Sequence, residues 1–292
     1  VTSKAGFTKP YFVDADHINS DTVDRFIDSS DFFTIDVASY IGKKSDDEKI
    51  EEFVVRSVEY AQELHFSGIK EPLVITLQKI KSIAEKYLYA ALKAQEIYRK
   101  IEKRKGEGTF VTEVSMDEVP HPQTPVELLF ILKMLGDLKI PAQTIAPKFS
   151  GRFNKGVNYT GDPKKFAAEF ESDIIVIDFA IREFGLPANL KMSIHSGSDK
   201  FAIYPFIGNI IRKHNKGIHL KTAGTTWLEE VTGLALAGGE ALEFVKDIYA
   251  GALEKKQELC APYADVIDID KARLPLAKEV SGWSSKKFAD SV

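Results

Sequence analysis

The chain has 292 residues, of which 44% are hydrophobic and 28% charged, with a formal net charge of -4. These proportions describe a globular protein and exclude disordered and fibrous classes; the acidic balance also lacks the basic face that general nucleic-acid binding requires. A single cysteine, Cys260, can form neither an intramolecular disulfide nor a Cys-rich zinc site. With no secretory signal and no apolar run long enough for a membrane span, a soluble cytoplasmic protein is expected.

Tyr11 to Asp16 is an apolar run that turns acidic, and a helix is expected over Ser20 to Ser29 with Ser20 as its N-cap. Phe32 to Asp36 reads as a strand. A long helical stretch follows, from Ser45 to Leu64 and, past Pro72, from Leu73 to Lys105, where Leu77, Ile80, Ile83, Ala84, Tyr87, Leu88 and Ala91 recur at helical spacing. Arg99, Lys100, Lys103, Arg104 and Lys105 at its end complement the helix dipole and read as a solvated helix terminus. Thr109 to Met116 is strand, Pro125 to Lys139 helix, Ala142 to Phe149 strand and Pro163 to Phe184 helix. Two more strand patterns, beginning at Lys191 and Ile218, each run into a Gly- and hydroxyl-rich turn that leads into a helix. Helices over Thr225 to Leu236 and Gly239 to Leu259 complete the series.

Strand and helix alternating with short links predict parallel strands joined by helical crossovers, in one domain over residues 1–292. Six strands fit an open doubly wound sheet or part of a (β/α)8 barrel. The polar residues discriminate. Side chains alternate faces along a strand, and one face carries Asp14 and Asp16; Thr34 and Asp36; Glu113, Ser115 and Asp117; Thr144 and Lys148; Ser193 and His195; His219 and Lys221. Helices on both faces would bury these groups at several kcal/mol for each uncompensated charge. A barrel instead points them to its axis and to the C-terminal strand ends. A TIM-barrel-like parallel β/α array with about six of the eight units is therefore expected. Both ends are expected to be cut from a longer polypeptide, the missing units coming from that sequence or from a partner.

Six segments carry a resemblance: Phe12-Val13-Asp14-Ala15-Asp16-His17, Phe33-Thr34-Ile35-Asp36, Glu113-Val114-Ser115-Met116-Asp117-Glu118, Lys155-Gly156-Val157-Asn158-Tyr159-Thr160-Gly161-Asp162, His195-Ser196-Gly197-Ser198-Asp199-Lys200-Phe201 and His219-Leu220-Lys221-Thr222-Ala223-Gly224-Thr225. In this order they resemble the tagaturonate epimerase family, from about Phe12 to Trp227. The resemblance implies a TIM-barrel-like, metal-dependent sugar epimerase of bacterial hexuronate breakdown. It would interconvert the keto-uronates tagaturonate and fructuronate, some members acting on neutral ketohexoses. After Asp36 the chain reads Val37-Ala38-Ser39-Tyr40, where some members have a further His.

In such sugars the inverted carbon lies β to the ketone, so its hydrogen is not acidic and simple enolisation cannot invert it. Retro-aldol cleavage can. A base takes the β-hydroxyl proton, the carbon-carbon bond opens to an aldehyde and an enediolate, the aldehyde turns, and the bond reforms on its other face. A divalent metal, acting as a Lewis acid, would stabilise the enediolate. A transient deprotonation or a hydride shift is also open on sequence.

For the metal, His195 and His219 from adjacent strand ends are the expected ligands, with His17 and Asp117 completing the set; imidazole with carboxylate suits Zn, Mn, Ni or Co. For acid/base work Asp16 and Glu113 come first, Asp14 and Asp36 next, the alternative being a salt-bridge lattice with Lys148, Lys191 and Lys221. A substrate carboxylate would meet Lys148, Arg152 and Lys200, the hydroxyls of Ser196 and Ser198, and Thr222. Schiff-base chemistry at Lys221 or Lys148 is the enzymatic alternative. A non-catalytic sugar-acid binding protein is the other.

Overall fold

The computed structural model describes residues 8–155, 158–222, 225–261 and 269–292. Six parallel strands form a curled half-barrel sheet with helices between them. They are β1 (Asp14–Ile18), β2 (Phe32–Asp36), β5 (Val111–Ser115), β6 (Thr144–Ala146), β7 (Lys191–His195) and β8 (Ile218–Lys221), neighbours in that order. A separate antiparallel pair, β3 (Glu63–Leu64) and β4 (Leu73–Val74), lies in the connection between β2 and β5. The helices are α1 (Asp47–Val55), α2 (Leu77–Lys105), α3 (Pro125–Asp137), α4 (Pro163–Glu183), α5 (Tyr204–Lys213), α6 (Thr225–Ala237), α7 (Gly239–Glu254), α8 (Lys256–Cys260), α9 (Ala277–Ser281) and α10 (Ser285–Ala289). Among the described residues no helix is long and apolar enough to cross a membrane. The contacts divide the chain into two compact units: Val1–Ser150, Asp162–Ile194 and Pro205–His219 make the first; Gly151–Gly161, His195–Tyr204 and Leu220–Val292 make the second.

In the first unit the expected alternation appears in the strands. Phe33, Ile35, Val114, Ile145, Met192 and Ile194 are buried, on the opposite strand face from Thr34, Glu113, Thr144 and Ser193. The pairing register sets Thr34 beside Glu113 and Glu113 beside Thr144. Polar groups from neighbouring strands therefore meet on one face, as the barrel-like reading requires.

Several local expectations are corrected. The helix expected over Ser20 to Ser29 is a single 3-10 turn, Val23–Arg25. Asn19 Oδ1 accepts from the Asp21 N–H at 2.9 Å, and Thr22 Oγ1 accepts from the Asn19 N–H at 3.0 Å. Such side chains offer the backbone an alternative to helix, and here they hold a turn. The stretch Ser45 to Leu64 is α-helical only over α1, with a single 3-10 turn at Val58–Tyr60, and its last residues pair as β3 with β4. Accordingly α2 starts at Leu77, where Thr76 Oγ1 caps it by accepting from the Lys79 N–H at 3.1 Å. The expected helix from Gly239 to Leu259 is broken into α7 and α8 at Lys255. The helix α5 follows the turn around Gly197, where a helix was expected but without bounds. Its signal is Ile203, Ile207 and Ile210, all buried at helical spacing, with Arg212 and Lys213 in the last turn.

The basic end of α2 is more than a solvated terminus. Lys100 pairs with Asp24, Arg104 with Asp28, and Lys105 Nζ donates to the Ile27 carbonyl at 3.0 Å. These contacts fasten the β1–β2 connection that failed to become a helix. Alongside, α3 is buried along almost its whole length. Thr124 and Glu127 form a reciprocal capping box, and Pro125 opens the first turn. Gly136 is needed at its end, since a Cβ there would lie 2.7 Å from the Phe184 carbonyl oxygen.

Asp173 on α4 is 4% exposed. Burial, reinforced by Glu169 one turn earlier, pushes its carboxyl well above the ordinary carboxylate range. The native state then keeps a proton that the unfolded chain releases, so this stabilisation is complete below an unfolded pKa of about 3.9 and is lost as pH rises toward the folded pKa. Asp173→Asn, which has no proton to lose, is expected to melt a few degrees higher at neutral pH and unchanged at acid pH. A lower melting temperature at neutral pH would show that the carboxylate is ionised in the folded state.

The second unit has its own core. Val231 and Ala235 on α6, Leu242 and Val245 on α7, Val280 on α9 and Phe288 on α10 are buried together, with Tyr249, Trp283 and Ala289 packed against them.

Candidate active site

In the first unit the ends of β1, β2 and β5 gather imidazole and carboxylate. The register of β1 against β2 is irregular between Ala15 and Ile18. Ala15 and Ile18 are both buried although three residues apart, which strict alternation forbids. The extra residue is absorbed by His17, whose φ is +50°, an uncommon value for a side chain other than glycine. A bulge of this kind re-aims side chains. Here it places His17 Nδ1 3.5 Å from Asp36 Oδ2 and Nε2 3.6 Å from Asp16 Oδ1. Asp36 Oδ1 also accepts from the Ala38 N–H at 2.9 Å, which fixes the carboxylate. Ligand atoms of His17, Asp36 and Glu118 all lie within 4.8 Å of one another.

Two ligands at about 2.1 Å from one ion span at most about 4.2 Å, so the three donors need only a small closure to share a divalent cation. One imidazole with two carboxylates is a donor set suited to Zn, Mn, Ni or Co. Glu118 was not among the expected site residues. Its sequence signal is its place beside Asp117, at the end of the Glu113–Glu118 segment just past β5.

A second polar cluster lies deeper. Thr144 Oγ1 donates to Glu113 Oε2 at 2.6 Å, and His219 Nδ1 is 2.9 Å from the same oxygen. Thr34 Oγ1 sits 3.2 Å from Asp14 Oδ1 and 3.4 Å from Glu113 Oε1. Ser193 Oγ is 3.2 Å from His219 Nδ1. Of the expected acid/base set, Asp14 and Asp16 are exposed and Asp36 is half-buried, whereas Glu113 is fully enclosed.

The remaining expected residues fall as follows. Asp117 follows β5 and accepts from Ser115 Oγ at 2.6 Å. Lys148 lies in the loop after β6, half-buried, and its N–H donates to Gln123 Oε1 at 2.7 Å. In the second unit, His195 is the last residue of β7 and half-buried. The Ser196 N–H donates to the Lys221 carbonyl at 2.8 Å, so Ser196 and Lys221 are joined through the backbone, and Thr222 follows half-buried. Arg152 is exposed in an antiparallel bridge with Thr160. Gly197, at φ +66°, takes a conformation that suits glycine, in the expected turn. Lys200 is fully buried, its Nζ donating to the Ser198 carbonyl at 2.8 Å and to Ser198 Oγ at 2.7 Å. Burial pushes the Lys200 ammonium below the usual lysine range, with Asp199 opposing that shift. Gly156, Val157, Ala223 and Gly224 of the expected motifs lie outside the described residues.

A family model described as tagaturonate epimerase matches residues 2–284. The tagaturonate/fructuronate epimerase of Thermotoga maritima is 27% identical over 288 residues, 94% of this chain and 56% of that protein. Structures of the fructuronate-tagaturonate epimerase of Cohnella laeviribosi, native and with one glycerol, superpose with a TM-score of 0.73 at 24% identity, covering 99% of this chain and 58% of theirs. At that identity the structural likeness shows the fold alone. The chain spans little more than half the length of the proteins it resembles. With the family model covering nearly every residue, this chain belongs to the tagaturonate epimerase family.

Proposed function

We propose that the chain serves a bacterial, cytoplasmic epimerase of hexuronate catabolism that interconverts D-tagaturonate and D-fructuronate by inversion at the carbon β to the ketone. The observation that carries this reading is the His17, Asp36 and Glu118 cluster beside the exposed carboxylate of Asp16. A divalent cation held by the cluster would supply Lewis-acid polarisation of the ketone and its adjacent hydroxyl. His195 and Asp117 are further proposed ligands, on their strand-end positions.

In the retro-aldol reading Asp16 takes the β-hydroxyl proton. The electron pair of the O–H bond becomes the aldehyde C=O as the carbon-carbon bond opens toward the ketone, leaving an enediolate fragment. After the aldehyde turns, the same bond reforms on its other face and Asp16 returns the proton. Nothing is oxidised or consumed. Asp36 keeps the His17 ring in place from the side opposite Asp16, since the two carboxylates face different ring nitrogens. Lys148, Arg152, Ser196, Ser198, Lys200 and Thr222 belong to the same proposal as residues contacting the sugar acid. Lys200 would first have to release Ser198.

The test is a turnover assay on tagaturonate and fructuronate with the purified chain. Interconversion that is lost in chelator and restored by a divalent metal is the expected result. Turnover that survives chelator and is trapped by borohydride would put Lys221 or Lys148 in a Schiff base instead. Binding of the keto acids with no turnover would make the chain a sugar-acid binding protein.

A further inference from the structure

Glu113 has 0% exposure, so it cannot meet a substrate directly. Its surroundings say what it does instead. The Thr144 hydroxyl donates to Oε2 at 2.6 Å, the short spacing of a hydrogen bond to a carboxylate oxygen. A carboxylate only accepts, so opposite it His219 Nδ1, 2.9 Å from that same oxygen, is the nitrogen that carries the hydrogen. Ser193 Oγ, 3.2 Å away, offers the same N–H a second acceptor. The Phe32 ring lies against the imidazole, centroids 5.1 Å apart, and restrains its plane.

We infer that Glu113 is a positioning residue: with Thr144 holding it, it locks His219 in the Nδ1–H tautomer and so makes Nε2 the nitrogen through which His219 serves the reaction. This deepens the epimerase reading and rests on it only for what Nε2 meets. Partners of this kind orient a functional imidazole, and their loss typically costs about 10- to 100-fold in affinity or activity. Asp14 is the other carboxylate joined to the cluster, through Thr34, and it has no contact with the imidazole among those described.

The experiment is long-range proton–nitrogen correlation on the resting protein with 15N-labelled histidine, the His219 signals being assigned by their loss in His219→Asn. The wild-type spectrum should show Nδ1 protonated and Nε2 bare. Glu113→Gln, which keeps an acceptor oxygen, should retain that tautomer. Glu113→Leu should shift it toward Nε2–H and lower kcat by about 10- to 100-fold with KM little changed. Thr144→Val, which removes a donor without changing any charge, should lower kcat in the same direction by less, and it stands in if the leucine variant does not fold. A wild-type His219 carrying its proton on Nε2, or a folded Glu113→Leu with the tautomer unchanged, overturns the inference. Absence of epimerase turnover in the wild type would overturn the proposed function and leave the tautomer result standing.

Discussion

If the proposed metal-dependent epimerisation holds, His17→Asn is expected to lower turnover by more than the about 100-fold typical of changes one shell further out. Asparagine is chosen because it tolerates the left-handed backbone that His17 adopts at φ +50°, so the loss reports on the imidazole and not on strain. The ring faces Asp36 and Asp16 and shares the cluster with Glu118, so removing it leaves two carboxylates without their neutral partner. Metal content of the purified variant, measured against wild type, should fall with activity while the melting temperature holds. His65→Asn is the control, since His65 is exposed beside Glu63. Wild-type metal content together with wild-type turnover in His17→Asn would remove the cluster from the mechanism.

Phe130→Ala is expected to destabilise the protein by about 3–5 kcal/mol. The side chain is fully buried in α3, edge-on to both Phe53 and Tyr60. Lys133, one turn on, lies over the Phe53, Tyr60 and Phe184 rings and pairs with Asp137, so the aromatic cluster also shelters a buried ammonium. A cavity there loosens those rings as well as removing its own contacts. At about 2–4 °C per kcal/mol the midpoint should drop by roughly 10 °C. Phe244→Ala on α7, where the ring is 57% exposed, should move it by no more than about 0.5 kcal/mol. Equal effects at the two positions would contradict the burial pattern.

Much of the fold was legible because its signals are local. Phe32 to Asp36 was readable as a strand and Pro125 onward as a helix, and β2 and α3 begin where expected. The short antiparallel pair β3 and β4 was not, since two-residue strands carry no period. The expected helix after Ser20 failed for a different reason: Asn19 and Thr22 hydrogen-bond the backbone themselves, and propensity cannot weigh that against helix.

By itself the sequence determined the parallel β/α class, the face on which polar residues collect, and the family, since each follows from residue type at fixed spacing. The tertiary structure alone decided which polar groups meet. A bulge in β1 turned His17 toward Asp36, and the end of β5 brought Glu118 to them. Strand pairing likewise enclosed Glu113 between Thr144 and His219, partners its residue type alone does not reveal. Lys200 is fully buried as well, its Nζ folded back onto Ser198 two residues earlier. Burial and register are sums over residues distant in the chain, and a single sequence specifies them only through the fold they jointly make.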